Sequence, residues 1–210
     1  PATTSAKKAM RSLFRQKLKS LSQSPDLILQ QSEQCAQRVF EMPVYKSAQS
    51  LCLFISMPKG EINTDVLLKR CFADGKKVFV PRCKENSQMD MLQVHNFEEI
   101  ATFEKNAWKI PEPPLDGRSN VFDEDIGGVD LVLVPGCGFD KNCMRLGQGM
   151  GFYDRFLKKL YDFMKERKRE PVFVGIGLDV QICSDEQTIP TDEFDVQLQA
   201  VITNSHEFFP

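Results

Sequence analysis

Ten consecutive residues, Arg145-Leu-Gly-Gln-Gly-Met-Gly-Phe-Tyr-Asp154, carry the residue types of an anion site. Gly147, Gly149 and Gly151 stand at every second position, and without Cβ atoms their backbone N–H groups can converge on a phosphate. A helical pattern follows at once, so its positive N-terminal end points at the same volume. Arg145 adds a cation with a bidentate fork. Asp154, in the first turn of that helix, can cap it or hold Mg2+. A tight left-handed turn with Asp154 as N-cap is the plain structural alternative. Two nucleotide motifs are absent: there is no Gly-x-x-x-x-Gly-Lys-Ser/Thr, and the glycine spacing is not Gly-x-Gly-x-x-Gly.

Three further places can bear on a ligand. Lys7 and Arg11, four residues apart, share a helix face and can lie over a polyphosphate; from spacing alone a solvated basic face is the simpler reading. Glu61, in the turn Met57-Pro-Lys-Gly-Glu61, can accept paired N–H groups of a heterocycle or cap a helix beginning near Thr64. Trp108, the only tryptophan, can stack on an aromatic ligand or anchor a lid.

The elements that must position these residues are legible as periodicities. Met10, Leu13, Phe14, Leu18 and Leu21 predict a helix over Ala6–Ser22, and Pro25 opens a second that runs to about Phe40. Leu51–Ile55 reads as a strand buried on both faces, Thr64–Phe72 as a helix, and Lys77–Val80 as a strand stopped by Pro81. Met89–Val94 alternates weakly, as an edge strand would. Glu98–Gly128, with Pro111, Pro113 and Pro114, reads as a surface excursion. Val129–Val134 is the strongest strand, followed by a helix over Asp154–Arg169, a strand over Val172–Ile176 and a last one over Ala200–Ile202. Strands alternating with helices predict an α/β fold, a three-layer αβα sandwich with a mostly parallel, Rossmann-like sheet. Ligands in such folds sit at strand carboxyl ends near a topological switch. At 210 residues the chain fits one domain, 1–210.

Composition narrows the classes. The net charge of −2 lacks the basic excess of a nucleic-acid binder. Seven cysteines without a C-x-x-C pair, and only two histidines, disfavour zinc and suit reduced intracellular thiols. No run approaches the ~18 apolar residues of a membrane span. The expectation is a cytoplasmic monomer. The acid-free basic stretch before Asp26 also resembles a mitochondrial presequence.

Five separated motifs then resemble the 5-formyltetrahydrofolate cyclo-ligase family over most of the chain: Lys7-Lys-Ala-Met-Arg11, Gly60-Glu-Ile-Asn-Thr64, Trp108 with Ile110-Pro-Glu-Pro113, Asp130–Asp140 with Arg145–Leu157, and Phe194-Asp-Val-Gln-Leu198 before Ala200. The resemblance implies that ATP and 5-formyltetrahydrofolate are the small-molecule substrates, with Mg2+, and that 5,10-methenyltetrahydrofolate, ADP and phosphate are the products. It implies ATP contacts at Lys7, Lys8, Arg11, Arg145, Gly147, Gln148, Gly149, Met150, Gly151, Phe152 and Tyr153. Folate contacts are implied at Ser56, Met57, Glu61, Trp108, Gln148, Gly149, Met150, Gly151 and Phe152, and metal contacts at Asp154 and Asp195, with Asp192 as a nearby alternative. Arg145 and Tyr153 are the implied catalytic residues. This chain departs from the family pattern at Phe152 (a tyrosine in the family), Phe194 (histidine), Gln197 (proline) and Gln199 (aspartate). Two rival readings are a non-catalytic folate- or nucleotide-binding paralogue and a sugar-phosphate isomerase.

Overall fold

The computed structural model describes residues 2–210. Helix α1 (Ala2–Leu21) and helix α2 (Pro25–Glu41) meet at a short break, and Pro25 opens α2 at a position where its missing N–H is harmless. The five-residue α3 (Pro43–Ser47) leads into β1 (Ser50–Leu53). Then come α4 (Asp65–Ala73), β2 (Lys77–Cys83), β3 (Met89–Val94) and β4 (Leu131–Val134). A hairpin of β5 (Gly138–Phe139) and β6 (Arg145–Leu146) precedes α5 (Phe152–Lys165). The chain closes with β7 (Val172–Ile176), β8 (Ala200–Ile202) and β9 (Glu207–Phe208).

Seven strands form one sheet in the order β3-β2-β1-β4-β7-β8-β9. The five central strands are parallel, and β3 and β9 add antiparallel edges. From β1 the chain moves one way to β2 and later the other way through β4, so the switch lies between β1 and β4.

Strand alternation sorts the core into two layers. Leu51, Leu53, Leu131 and Leu133 face α2 and α4, where they meet Cys35, Val39, Leu67 and Leu68. Cys52, Val132 and Val134 face the other way, onto Phe156, Leu157 and Leu160 of α5. The expected αβα sandwich is therefore present. A third cluster joins Phe14 of α1 to Cys137, Leu146, Cys183 and Ile189, and it fastens α1 beside the β5–β6 hairpin.

Several predicted limits change. Pro81 lies inside β2: past Phe79 the strand pairs only with β3, so on the β1 side no ladder bond is lost to the missing N–H. Helix α1 starts at Ala2, and α5 spans Phe152–Lys165 rather than Asp154–Arg169. The 98–128 excursion returns to the β3 edge, where Gln93 and Val121 N–H groups donate to Ser119 and Met91 carbonyls, so it covers an otherwise open strand. No helix among the described residues is long and apolar enough to cross a membrane.

Candidate active site

The carboxyl ends of β1 and β4 open into a cavity of about 820 Å³, walled by the turn after β1, the glycine loop, one face of α1 and the 106–112 segment.

The glycine loop is set by the hairpin before it, which accounts for the twelve residues between β4 and Gly147. Buried Asp140 accepts N–H groups of Asn142, Met144 and Ile189 (3.0, 3.0 and 2.8 Å) and so fixes the turn from which β6 emerges. Arg145 leaves β6 with only 5% of its surface exposed. Its Nη2 donates to Asp154 Oδ1 at 2.5 Å and its Nη1 to the Pro135 carbonyl at 3.3 Å. Gly147 admits this guanidinium, since a Cβ there would stand 2.9 Å from Nη1. Gly149 has φ +106°, a conformation L side chains rarely adopt, and Gly151 is the left-handed N-cap of α5. Asp154 is therefore not the N-cap; it sits in the first helical turn, with its carboxylate on Arg145.

Helix α1 lies against this loop, which overturns the solvated-face reading. Arg11 Nε donates to the Gly147 carbonyl at 2.8 Å, and Arg15 Nη2 donates to both oxygens of Gln148 at 3.0 and 3.2 Å. Lys7 is 8% exposed and donates to Asp192 at 2.8 Å and Asp195 at 2.5 Å. Burial alone would depress this ammonium, but the hydrogen bonds and charges of the two carboxylates hold it above its ordinary value. Asp192 is correspondingly lowered, first by the Lys7 bond and then by the Phe194 N–H. Asp195 is thus held by Lys7, whereas Asp154 is held by Arg145, and no cluster of three or more metal-ligating side chains occurs among the described residues. A resident cation has no donor set here. Asp154 Oδ2 makes no hydrogen bond to another described residue, so this carboxylate can take a cation brought in by a ligand.

On the opposite wall, Glu61 folds back on its turn, and its Oε2 accepts the Met57 N–H at 2.7 Å. Part of Glu61 remains open to the cavity, while surrounding protein pushes its carboxyl up to about 7. Tyr153 lines the same cavity. Burial, then the charge of Glu61, keeps its phenol well above the ordinary range, so it is a neutral donor. The Tyr153 hydroxyl and Arg145 Nε are both buried without a hydrogen-bond partner among the described residues. Trp108 is 49% exposed and meets Phe152 edge-to-face at 6.5 Å.

Most implied site residues therefore gather at one cavity, with clear exceptions. Ser56 does not line it: its Oγ donates to the Ile62 carbonyl and accepts the Thr64 N–H, both at 2.8 Å, so the hydroxyl fastens the turn. Lys7, Lys8, Arg11, Gly149 and Asp195 also lie off the cavity wall, and Lys8 is exposed. Arg15, Lys19, Lys59 and Glu112 line the cavity and were not expected. The four-residue spacing of Arg11, Arg15 and Lys19 was the available signal, since one helix face carries all three.

Comparison with known proteins follows the same lines. The 5-formyltetrahydrofolate cyclo-ligase family model matches residues 3–204. A mouse protein named 5-formyltetrahydrofolate cyclo-ligase is 35% identical over 201 residues, covering 94% of this chain and 93% of that protein. An Arabidopsis thaliana protein named as the mitochondrial 5-formyltetrahydrofolate cyclo-ligase is 34% identical, covering 95% of this chain and 74% of its own length. The solved Aquifex aeolicus 5,10-methenyltetrahydrofolate synthetase superposes with a TM-score of 0.72 at 25% identity, covering 95% of this chain and 92% of that one.

Proposed function

Because the chain belongs to the 5-formyltetrahydrofolate cyclo-ligase family, we propose that it converts 5-formyltetrahydrofolate and ATP to 5,10-methenyltetrahydrofolate, ADP and phosphate. The observation that carries this reading is the buried Arg145–Asp154 pair under a glycine loop, in the same cavity as Glu61 and Tyr153.

The chemistry asks for activation of a poor leaving group. The formyl oxygen attacks the γ-phosphorus, the bond to ADP breaks, and an imidate phosphate forms. N10 then attacks the formyl carbon and loses its proton. Phosphate departs with the former formyl oxygen, and the ring is closed. Phosphoryl transfer depends mainly on positioning and charge neutralisation. Arg145 supplies both: its guanidinium is fixed by Asp154 and Pro135, and its unpaired Nε–H has a donor to spare for a ligand oxygen. The N–H groups of the glycine loop and the first turn of α5 add partial positive charge. Arg11 and Arg15 hold that loop against α1 rather than reaching for phosphate themselves. The neutral Tyr153 hydroxyl, buried without a partner among the described residues, offers a hydrogen bond that orients the formyl group while its proton stays on the phenol. Glu61, beside Met57, receives pterin N–H groups. Mg2+ carried by the nucleotide would neutralise phosphate charge, with Asp154 as the protein carboxylate available to it.

The test is near-ultraviolet absorbance of methenyl product from 5-formyltetrahydrofolate, with and without Mg-ATP. Product in the presence of Mg-ATP alone is expected. Folate binding without turnover would identify a non-catalytic paralogue, and turnover without ATP would point to other chemistry.

A further inference from the structure

Arg145 is held at Nη1 by the Pro135 carbonyl, and what aims that carbonyl lies behind the cavity wall. Pro135 and Gly136 link β4 to the β5–β6 hairpin, and Gly136 has no side chain to fix its own peptide groups. Two hydrogen bonds do so instead. The Cys137 N–H donates to the Leu146 carbonyl at 2.6 Å, and Gln181 Nε2 donates to the Gly136 carbonyl at 2.6 Å. Gln181 ends a single 3-10 turn, Asp179–Gln181, that follows β7. Its Oε1 accepts the Leu178 N–H at 2.8 Å. Gln181 is 2% exposed and does not line the cavity. Two glycines clear its place: a Cβ on Gly177 would stand 2.9 Å from Gln181 Oε1, and one on Gly136 would stand 2.7 Å from the Phe139 ring that borders the same space. Burying a carboxamide costs free energy unless both of its ends are bonded. Here both are bonded, and together they tie the exit of β7 to the exit of β4, its neighbour in the sheet. An apolar side chain would fill the space more simply but would leave the Gly136 carbonyl without this donor.

Resting on the cyclo-ligase reading, we propose that Gln181 is a positioning residue for Arg145. It fixes the Gly136 peptide, hence the direction of the Pro135 carbonyl, and hence the guanidinium that meets the transferring phosphoryl group. A planar fork held by Asp154 at Nη2 alone can pivot about that bond, and the Pro135 carbonyl at Nη1 stops the pivot. A misplacement of about 1 Å at a reacting group costs on the order of 10²-fold in rate. Loss of the Gln181 bond therefore corresponds to a fall in kcat of roughly ten- to a hundred-fold. Folate KM changes little, because Glu61 and Trp108 are held by bonds from other segments.

The test is a double-mutant cycle in kcat for methenyl formation, with the unsubstituted protein, Gln181→Met, Arg145→Ala and the two combined. Methionine is close to glutamine in length and removes both side-chain bonds. Gln181→Met is expected to lower kcat roughly ten- to a hundred-fold in the unsubstituted background, and by less than about two-fold once Arg145 is gone. Gln181→Glu separates the two ends of the side chain: it keeps an acceptor for the Leu178 N–H but can donate to the Gly136 carbonyl only when protonated. Its rate relative to the unsubstituted protein should therefore recover as pH falls. Equal losses in the two backgrounds, or a lower melting temperature with kcat unchanged, would leave Gln181 a purely structural residue and overturn the proposal. Failure of the unsubstituted protein to form methenyl product counts instead against the cyclo-ligase reading. The same cycle, read as the dissociation constant of a non-hydrolysable ATP analogue, then decides Gln181: coupled losses support it and additive losses overturn it.

Discussion

Arg145 and Glu61 illustrate how burial sets the work of a charged side chain. Arg145 sits almost wholly inside the protein, and Asp154 is its carboxylate partner. Arg145→Ala should lower kcat on the order of 10²-fold or more, as removal of a fixed electrostatic stabiliser does. Steady-state kinetics check this, and Arg145→Lys should not restore the rate, because an ammonium cannot hold the same fork. Glu61 behaves oppositely, since desolvation raises its carboxyl from 4.5 to about 7. In the folded apo-protein it binds a proton between those values that the unfolded chain has already released. Its contribution to stability is therefore present at low pH and falls as pH rises from about 4.5 through 7. Glu61→Gln should flatten that part of the pH–stability profile in denaturant titrations. The same substitution should raise folate KM while ATP KM holds, because pterin N–H groups lose an ionised acceptor.

At the scale of elements, the cavity wall opposite the glycine loop depends on a small polar clamp. Glu112 Oε1 accepts the Cys83 N–H at 3.1 Å and Asn106 Nδ2 at 2.9 Å, which joins the 98–128 excursion to the end of β2. Asn106 Oδ1 in turn accepts the N–H groups of Trp108 and Ile110 at 2.9 and 3.1 Å. Two side chains thus hold the loop that presents the tryptophan. Asn106→Ala should raise folate KM several-fold with kcat much less affected, and should weaken folate quenching of Trp108 fluorescence; a purely structural role would lower melting temperature without that KM–kcat split. Periodicity made the sheet, the major helices and the glycine loop legible, because apolar alternation and helical spacing are local signals. It did not reveal the clamp or the β5–β6 hairpin, whose strands are two residues long. Pro81 misled for a related reason: whether a missing N–H matters depends on which side of the strand has a partner.

For the molecule as a whole, the site joins parts distant in sequence. Lys7 binds carboxylates 185 and 188 residues away, and Arg11 holds a carbonyl 136 residues on. No sequence spacing announces such partners, so Lys7 and Arg11 read as a solvated face, and Asp195 could be tied to a metal only by resemblance. The basic stretch before Asp26 lies largely in α1, which packs through Phe14 into the fold. Since α1, the ends of β1 and β2, the segment after β4 and the start of α5 all wall the cavity, substrate binding should stabilise the entire domain. At one hundred times its dissociation constant a ligand adds about 2.7 kcal/mol, which corresponds to roughly 5–10 °C in melting temperature for a domain of this size. Thermal denaturation with and without 5-formyltetrahydrofolate checks this, and an unchanged midpoint would contradict a site built across the fold.

The central claim is that the γ-phosphoryl group is transferred to the formyl oxygen in the cavity shared by Arg145, Tyr153 and Glu61. It is tested most directly with 5-formyltetrahydrofolate carrying 18O in the formyl group, turned over with unlabelled ATP in unlabelled water. Mass analysis of the released phosphate should find one 18O atom per phosphate at the enrichment of the substrate. Unlabelled phosphate, with the label recovered in water, would contradict the account.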